Sequence, residues 1–396
     1  MINVTKLLCG TPQPADALRY GEGPNAPRSA AERKPVMVWN ITRRCNLRCL
    51  HCYSDSEARE YPGELSFDEC RMVIDDLAEY GIPGLLLSGG EPTIHPRFFD
   101  LASYAVHRGL RITLSTNGTL IDADSARRLK ALGIAYVGIS LDGIGATHDH
   151  FRGRQGAFDK AVAAFGHCRA ADQKSGLRLT LTPHTVADLP AILALIEEEN
   201  IQRVCFYHLV YSGRGNDLGL LSRETTRAAL TTIAEAVLRW HRQGTPREVL
   251  TVDQPADGVF FWKYAKEHVP EREGAIARLL AWNGGGANGS GIGLANIDSQ
   301  GRVHPDQFWQ DCDLGNVRDQ PFSRIWADSD DPTLTGLRNR IPRLQGRCGT
   351  CRFRTVCGGG FRVRAWQRHT DPWAEDPGCP LTDEEIRAET EKPGQV

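Results

Sequence analysis

Residues 36–52 read Val-Met-Val-Trp-Asn-Ile-Thr-Arg-Arg-Cys-Asn-Leu-Arg-Cys-Leu-His-Cys. Val36 to Ile41 is an apolar run of strand length. The loop that leaves it carries Cys45, Cys49 and Cys52, separated by three and then two residues. Outward from this stretch, short apolar runs alternate with helical patterns. Gly84 to Leu87, Ile112 to Ser115, Tyr136 to Leu141, Leu177 to Leu181 and Val204 to Leu209 complete six expected strands. Phe67 to Tyr80, Pro96 to Arg108, Ala123 to Leu132, Phe158 to Ala170 and Leu189 to Glu198 place apolar residues at mixed three and four spacing, as helices do. Strands alternating with helices imply parallel pairing through right-handed crossovers, hence an α/β fold and most of a barrel. Ligands in such sheets sit beyond the carboxyl ends of the strands, where the cysteine loop falls.

The 396-residue chain is long enough for two or three domains, and its formal charge of -2 gives no field for holding nucleic acid. It has no apolar run long enough to span a membrane, and residues 1–19 lack the pattern of an export signal. A cytoplasmic protein is expected, in which clustered cysteines are metal ligands or catalytic thiols rather than disulfides. The expected divisions are a loosely ordered arm over 1–34 with one short helix, a partial barrel over 35–221, a helical connector over 222–290 and a small domain over 291–396. The connector's main helices are expected at Thr225 to Arg242 and Phe260 to Trp282. The glycines of Gly284 to Gly293 lack the order of a phosphate loop and read as a linker. Ile292 to Ile297 and Arg302 to His304, joined by Asp298-Ser-Gln-Gly301, read as a β-hairpin.

Three thiolates leave one iron of a 4Fe-4S cube without a protein ligand, free to bind a substrate or cofactor. A zinc site is the other reading, with His51 as its fourth ligand. Near the end, Cys348, Cys351, Cys357 and Cys379 form a second possible ligand set, suited to zinc or to an iron-sulfur cluster. Cys9, Cys70, Cys168 and Cys205 stand alone and read as packing residues.

The first cysteine spacing resembles the radical S-adenosylmethionine (SAM) superfamily. Gly89-Gly90-Glu91-Pro92, Ser115-Thr116-Asn117-Gly118 and Ser140-Leu141-Asp142-Gly143 follow the second, third and fourth strands in that family's order. The resemblance implies a partial (β/α)6 barrel. It also implies a 4Fe-4S cluster on Cys45, Cys49 and Cys52, and reductive cleavage of SAM to methionine and a 5′-deoxyadenosyl radical. Gly89, Gly90 and Glu91 would hold the methionine amino group. Ser115, Asn117, Ser140 and Asp142 offer partners for ribose hydroxyls, and Arg178 a partner for the carboxylate. The tail resembles auxiliary-cluster (SPASM or twitch) domains, which implies an auxiliary 4Fe-4S cluster on Cys348, Cys351, Cys357 and Cys379. Asp306 stands where many relatives carry a cysteine, and Cys312 is the nearest other thiol.

Val38 to Cys45, Tyr207 to Gly215, Ala295 to Asp298, Val303 to Asp306, Leu314 to Val317 and Asp376 to Cys379 resemble the NirJ group of heme d1 biosynthesis. That resemblance implies removal of propionates from 12,18-didecarboxysiroheme, a tetrapyrrole, with a flavodoxin or ferredoxin as reductant. Related (Ahb-type) heme enzymes remove acetate or decarboxylate propionate. His208 and His304 are candidate iron ligands or proton donors. Arg152, Arg154, Arg214, Arg362 and Arg364 are candidate anchors for substrate carboxylates. A peptide-modifying radical enzyme and a zinc-binding scaffold are the competing readings.

Overall fold

The computed structural model describes residues 1–13, 15–21, 34–284 and 289–387. All six expected strands form: β2 (Val36–Thr42), β3 (Leu85–Gly89), β4 (Ile112–Thr116), β5 (Tyr136–Ser140), β6 (Ser175–Leu181) and β7 (Arg203–His208), numbered after β1 (Ile2–Asn3). They pair in sequence order and parallel. The five expected helices stand at Phe67–Tyr80, Phe98–His107, Ala123–Ala131, Ala157–Ala170 and Leu189–Glu198. The first has a reciprocal cap between Ser66 and Glu69 and ends at Gly81 in the left-handed region.

The sheet is wider than six strands. β8 (Glu248–Val252) extends it beyond β7 in parallel, inside the segment expected to be helical. β9 (Leu294–Ile297) runs parallel to β2, and β10 (Val303–His304) returns antiparallel to β9. The turn expected from Asp298 to Gly301 thus carries a strand pair that is part of the main sheet. Among the described residues ten strands follow the order β1-β8-β7-β6-β5-β4-β3-β2-β9-β10.

Two further expectations change. The arm's first residues are ordered: β1 pairs with β8, and the helix Val4–Cys9 buries Val4, Leu7 and Leu8. The rest of the arm over 22–33 lies outside the described residues, as do 285–288 of the glycine linker. The single helix expected over Phe260 to Trp282 is two, Asp257–His268 and Glu273–Trp282. Pro270 separates them, because it lacks an N–H and its ring clashes with the preceding turn. Among the described residues no helix is long and apolar enough to cross a membrane.

Candidate functional site

Beyond the carboxyl ends of the strands lies a cavity of about 160 Å3. Cys45, Cys49 and Cys52 line it together with Gly89, Gly90, Ser115, Asn117, Ser140, Arg178 and His208. These ten residues, with His51 and Arg152, were all singled out in the sequence and share one chamber. Tyr53, Ser88, Thr180 and Asp253 line it as well, and no motif marked them. Their signal was position alone, since each sits at or just past a strand end or beside the cysteine loop.

The cysteine loop is pinned from several sides. Arg214 donates from Nε to the Cys49 carbonyl at 2.8 Å and from Nη2 to the Ser56 carbonyl at 3.0 Å, and its N–H donates to the Cys52 carbonyl at 3.1 Å. Gly213 permits this approach, because a Cβ there would fall 2.4 Å from that same carbonyl oxygen. Gly90 and Glu91 donate their N–H groups to the Thr42 and Arg44 carbonyls, each at 2.8 Å. A Cβ on Gly90 would meet the Arg44 oxygen at 2.0 Å, so the paired glycines are required by the chain running beside them.

Two carboxylates expected to face the cofactor turn inward. Glu91 is fully buried and accepts from Thr93 Oγ1 at 2.7 Å, Thr116 Oγ1 at 2.8 Å and the Asn117 N–H at 2.8 Å. It ties the loop after β3 to the loop after β4. Asp142, also fully buried, accepts from Arg152 and from the Thr180 N–H at 2.6 Å. Arg152 reaches from there to Cys49 Sγ at 3.6 Å, placing a fixed positive charge beside the thiols. Burial is the largest influence on Cys45, pushing its thiol up to about 12, and the neighbouring Cys49 and Cys52 push the same way. Burial also lowers His51 to about 4, leaving a neutral ring stacked on Phe151 at 4.6 Å.

His208 faces the cavity with Nε2 2.7 Å from the Asp257 carboxylate. His304 stands apart: it is buried, its Nδ1 lies 2.7 Å from the Cys312 carbonyl, and it lines none of the cavities described here. Arg178 lies in mid β6, not at its start, with its guanidinium over the Tyr207 ring at 4.7 Å. The other candidate anchors bond groups of the protein itself. Arg154 donates to the Asn46 carbonyl at 3.2 Å. Arg362 donates to the Pro372 and Ala374 carbonyls at 2.9 and 2.6 Å. Arg364 forms a two-pronged pair with Asp376 at 2.7 and 2.9 Å and donates to the Leu209 and Asp253 carbonyls.

Cys348, Cys351, Cys357 and Cys379 line a second pocket, which keeps only about 10 Å3 free. Burial pushes the Cys357 thiol up to about 12, with Cys379, Cys348 and Cys351 adding to it. Asp306 is not free to replace a cysteine ligand. It is fully buried, accepting from Ser290 and from the Phe308 and Trp309 N–H groups at 2.7 and 3.1 Å. Among the described residues no group of three or more His, Cys, Asp or Glu side chains is drawn together so as to hold a metal ion. In donor chemistry, three and four thiols that oppose one another's ionisation still suit a cationic iron-sulfur cluster at each place.

A model of the radical SAM superfamily matches residues 39–196. A protein named Fe-coproporphyrin III synthase, from Methanosarcina barkeri, is 47% identical, covering 98% of this chain and 99% of that protein. A pre-heme d1 synthase from Dinoroseobacter shibae is 43% identical, covering 93% and 92%. In fold, the chain is similar to Streptococcus suis SuiB solved with S-adenosylmethionine, with a TM-score of 0.68 at 16% identity, over 88% of this chain and 77% of that one. The chain belongs to the radical SAM superfamily, carries that superfamily's core with a C-terminal auxiliary region, and is closely related to its heme-synthesis enzymes.

Proposed function

We propose that this radical SAM enzyme of heme biosynthesis removes acetate side chains from an iron tetrapyrrole, as an Fe-coproporphyrin III synthase. The supporting observation is the 47% identity over almost the whole of both chains, against 43% for the pre-heme d1 synthase. Propionate removal toward heme d1 is the second reading, favoured by that latter match.

Cys45, Cys49 and Cys52 would hold the cluster, and Gly89, Gly90, Ser115, Asn117, Ser140 and Arg178 would hold S-adenosylmethionine. Together these groups supply one-electron cleavage of a sulfonium and, through it, hydrogen abstraction from an unactivated carbon. The protein's part is positioning and exclusion of water. Glu91 and Asp142 fix the loops that form the cavity walls, acting as braces rather than contacts. Arg152 beside Cys49 offsets thiolate charge. His208, held at Nε2 by Asp257, keeps Nδ1 to give or take a proton as a carboxylate-bearing side chain departs. Cys348, Cys351, Cys357 and Cys379 would hold an auxiliary cluster able to exchange an electron with the product, and a flavodoxin or ferredoxin would supply reducing equivalents. The same reading makes 35–221 the core of the catalytic unit, whose sheet β8, β9 and β10 extend, and the rest of 291–396 the cluster-bearing unit.

The test is an anaerobic reaction of iron-reconstituted protein with S-adenosylmethionine, a strong reductant and 12,18-didecarboxysiroheme, followed by mass spectrometry. Acetate-sized losses coupled to deoxyadenosine are expected. Propionate-sized losses would move the assignment to the second reading, and cofactor cleavage with an unchanged tetrapyrrole would overturn both.

A further inference from the structure

The sheet has a second chamber, at its other end. It has a volume of about 240 Å3, larger than the cysteine cavity. Val36, Tyr136, Arg203 and Leu294, the first residues of β2, β5, β7 and β9, line it, as does Arg111 immediately before β4. It therefore lies at the amino ends of the parallel strands. Val38, Leu86, Arg178, Tyr207, Asp253 and Gln307 line both chambers, so the two adjoin through the interior of the sheet.

Its walls carry polar atoms that the protein does not satisfy. Tyr136 Oη, Asp253 Oδ2, Asn283 Oδ1 and Gln307 Oε1 are buried with no hydrogen-bond partner among the described residues. The Tyr136, Asp253 and Asn283 residues are all more than nine-tenths buried. Buried polar groups in folded proteins are nearly always paired, so Tyr136 Oη and Asn283 Oδ1 on this chamber, with Asp253 Oδ2 and Gln307 Oε1 on the wall it shares with the cysteine cavity, point to a ligand. Asp253 adds backbone strain, with φ at 65° in a residue that is not glycine. Burial pushes its carboxyl up to about 6.

The charge at the rim is also unbalanced. Arg203 Nε lies 3.4 Å from Glu248, a carboxylate already engaged by Arg19 at 2.6 Å. Arg111 makes no ion pair among the described residues, and burial together with Arg203 and Arg19 disfavours its charge. A carboxylate seated there would relieve that repulsion and accept the guanidinium's parallel N–H donors. Much of the remaining wall is apolar, including Leu86, Leu280, Leu294 and Phe361. The five arginines expected to anchor carboxylates each bond other groups of the protein.

We propose that this chamber seats the carboxylate-bearing tetrapyrrole, with the macrocycle on the apolar wall and a carboxylate on Arg111, and that the substrate reaches the cysteine cavity from the amino ends of the strands, past Arg178 and Tyr207. The inference rests on the tetrapyrrole reading above and adds a location and a direction of entry to it.

The test titrates 12,18-didecarboxysiroheme into iron-reconstituted protein without S-adenosylmethionine, following its absorbance, for the wild type, Arg111→Gln and Thr113→Phe. Thr113 lines this chamber and not the cysteine cavity, so the larger side chain obstructs the seat alone. Arg111→Gln should weaken binding about tenfold or more, the scale of one lost charged hydrogen bond. Thr113→Phe should abolish binding, while both variants keep the wild type's slow, substrate-free formation of deoxyadenosine. The fully methyl-esterified form of the same tetrapyrrole should bind the wild type and Arg111→Gln equally. Wild-type binding that neither substitution alters would overturn this seat and leave the tetrapyrrole reading standing. No binding by the wild type, with the cluster loaded, would overturn that reading and the seat with it.

Discussion

The three cysteines near the start of the fold line a cavity of about 160 Å3, whereas the four near the end surround about 10 Å3. The open group sits on a loop held by Arg214 and faced by strand-end residues from most of the sheet. The closed group is packed against Arg362 and Asp376, the latter paired with Arg364, and the fold surrounds all three side chains. Two sets of the same ligand type are thus given different surroundings. Room beside the thiols allows a second molecule to reach whatever they bind, while a closed shell allows only electrons to pass. The proposed roles follow from that contrast more than from the number of cysteines.

The strongest way to break the comparison is to replace Cys45, Cys49 and Cys52 together by Ala. Deoxyadenosine formation should fall to background while iron remains bound by the tail. Persisting cofactor cleavage would transfer the reactive role to the closed group. The next concerns the closed group's frame. Asp376→Asn leaves Arg364 without its partner, in a place where neither side chain is more than 1% exposed. Removing one member of a buried pair costs about 3–5 kcal/mol. Denaturant unfolding should show that loss, and iron should leave the tail before the first loop. The smallest effect tests whether the two regions are mechanically separate. Arg318, beyond β10, donates to Glu69 on the helix Phe67–Tyr80 at 2.6 Å. Both side chains are about a third exposed, so Glu69→Gln should cost only about 0.2–1 kcal/mol. Arg318 and the Ser66 backbone pull the Glu69 carboxyl from 4.5 down to about 2. A depressed acid contributes stability above its ordinary range and loses it as pH falls through about 2, so wild type and variant should converge at the acid end of that window.

Most of the sheet was legible because each strand from β2 to β7 is an apolar run flanked by helical periodicity. β8 was not, although Val249, Leu250, Thr251 and Val252 are strand-forming residues, because they lie between two helical stretches with no recurring unit around them. β1 is too short to show a pattern, and its place depends on pairing with β8 far along the chain. The cofactor-side residues were found by motif, but Glu91 and Asp142 carry the same signal whether they face a ligand or brace a loop. Only the geometry separates those roles. The arginines show the same limit more strongly: Arg364 reaches the Asp253 carbonyl from 111 positions away, a partner that local sequence does not reveal.

β2 completes its pairing only when β9 arrives. The Asn296 side chain donates to the Val38 carbonyl across 258 positions, and Val36 to Trp39 pair with Leu294 to Ile297. During synthesis, therefore, the first long strand remains an exposed edge until about three quarters of the chain has emerged. Exposed edges recruit foreign strands, and long-range pairings form slowly. A chain truncated before residue 290 should for this reason be aggregation-prone even though it retains every residue of the open cavity's three-cysteine loop. The tail thus protects a vulnerable edge of the nascent protein before it takes any part in chemistry.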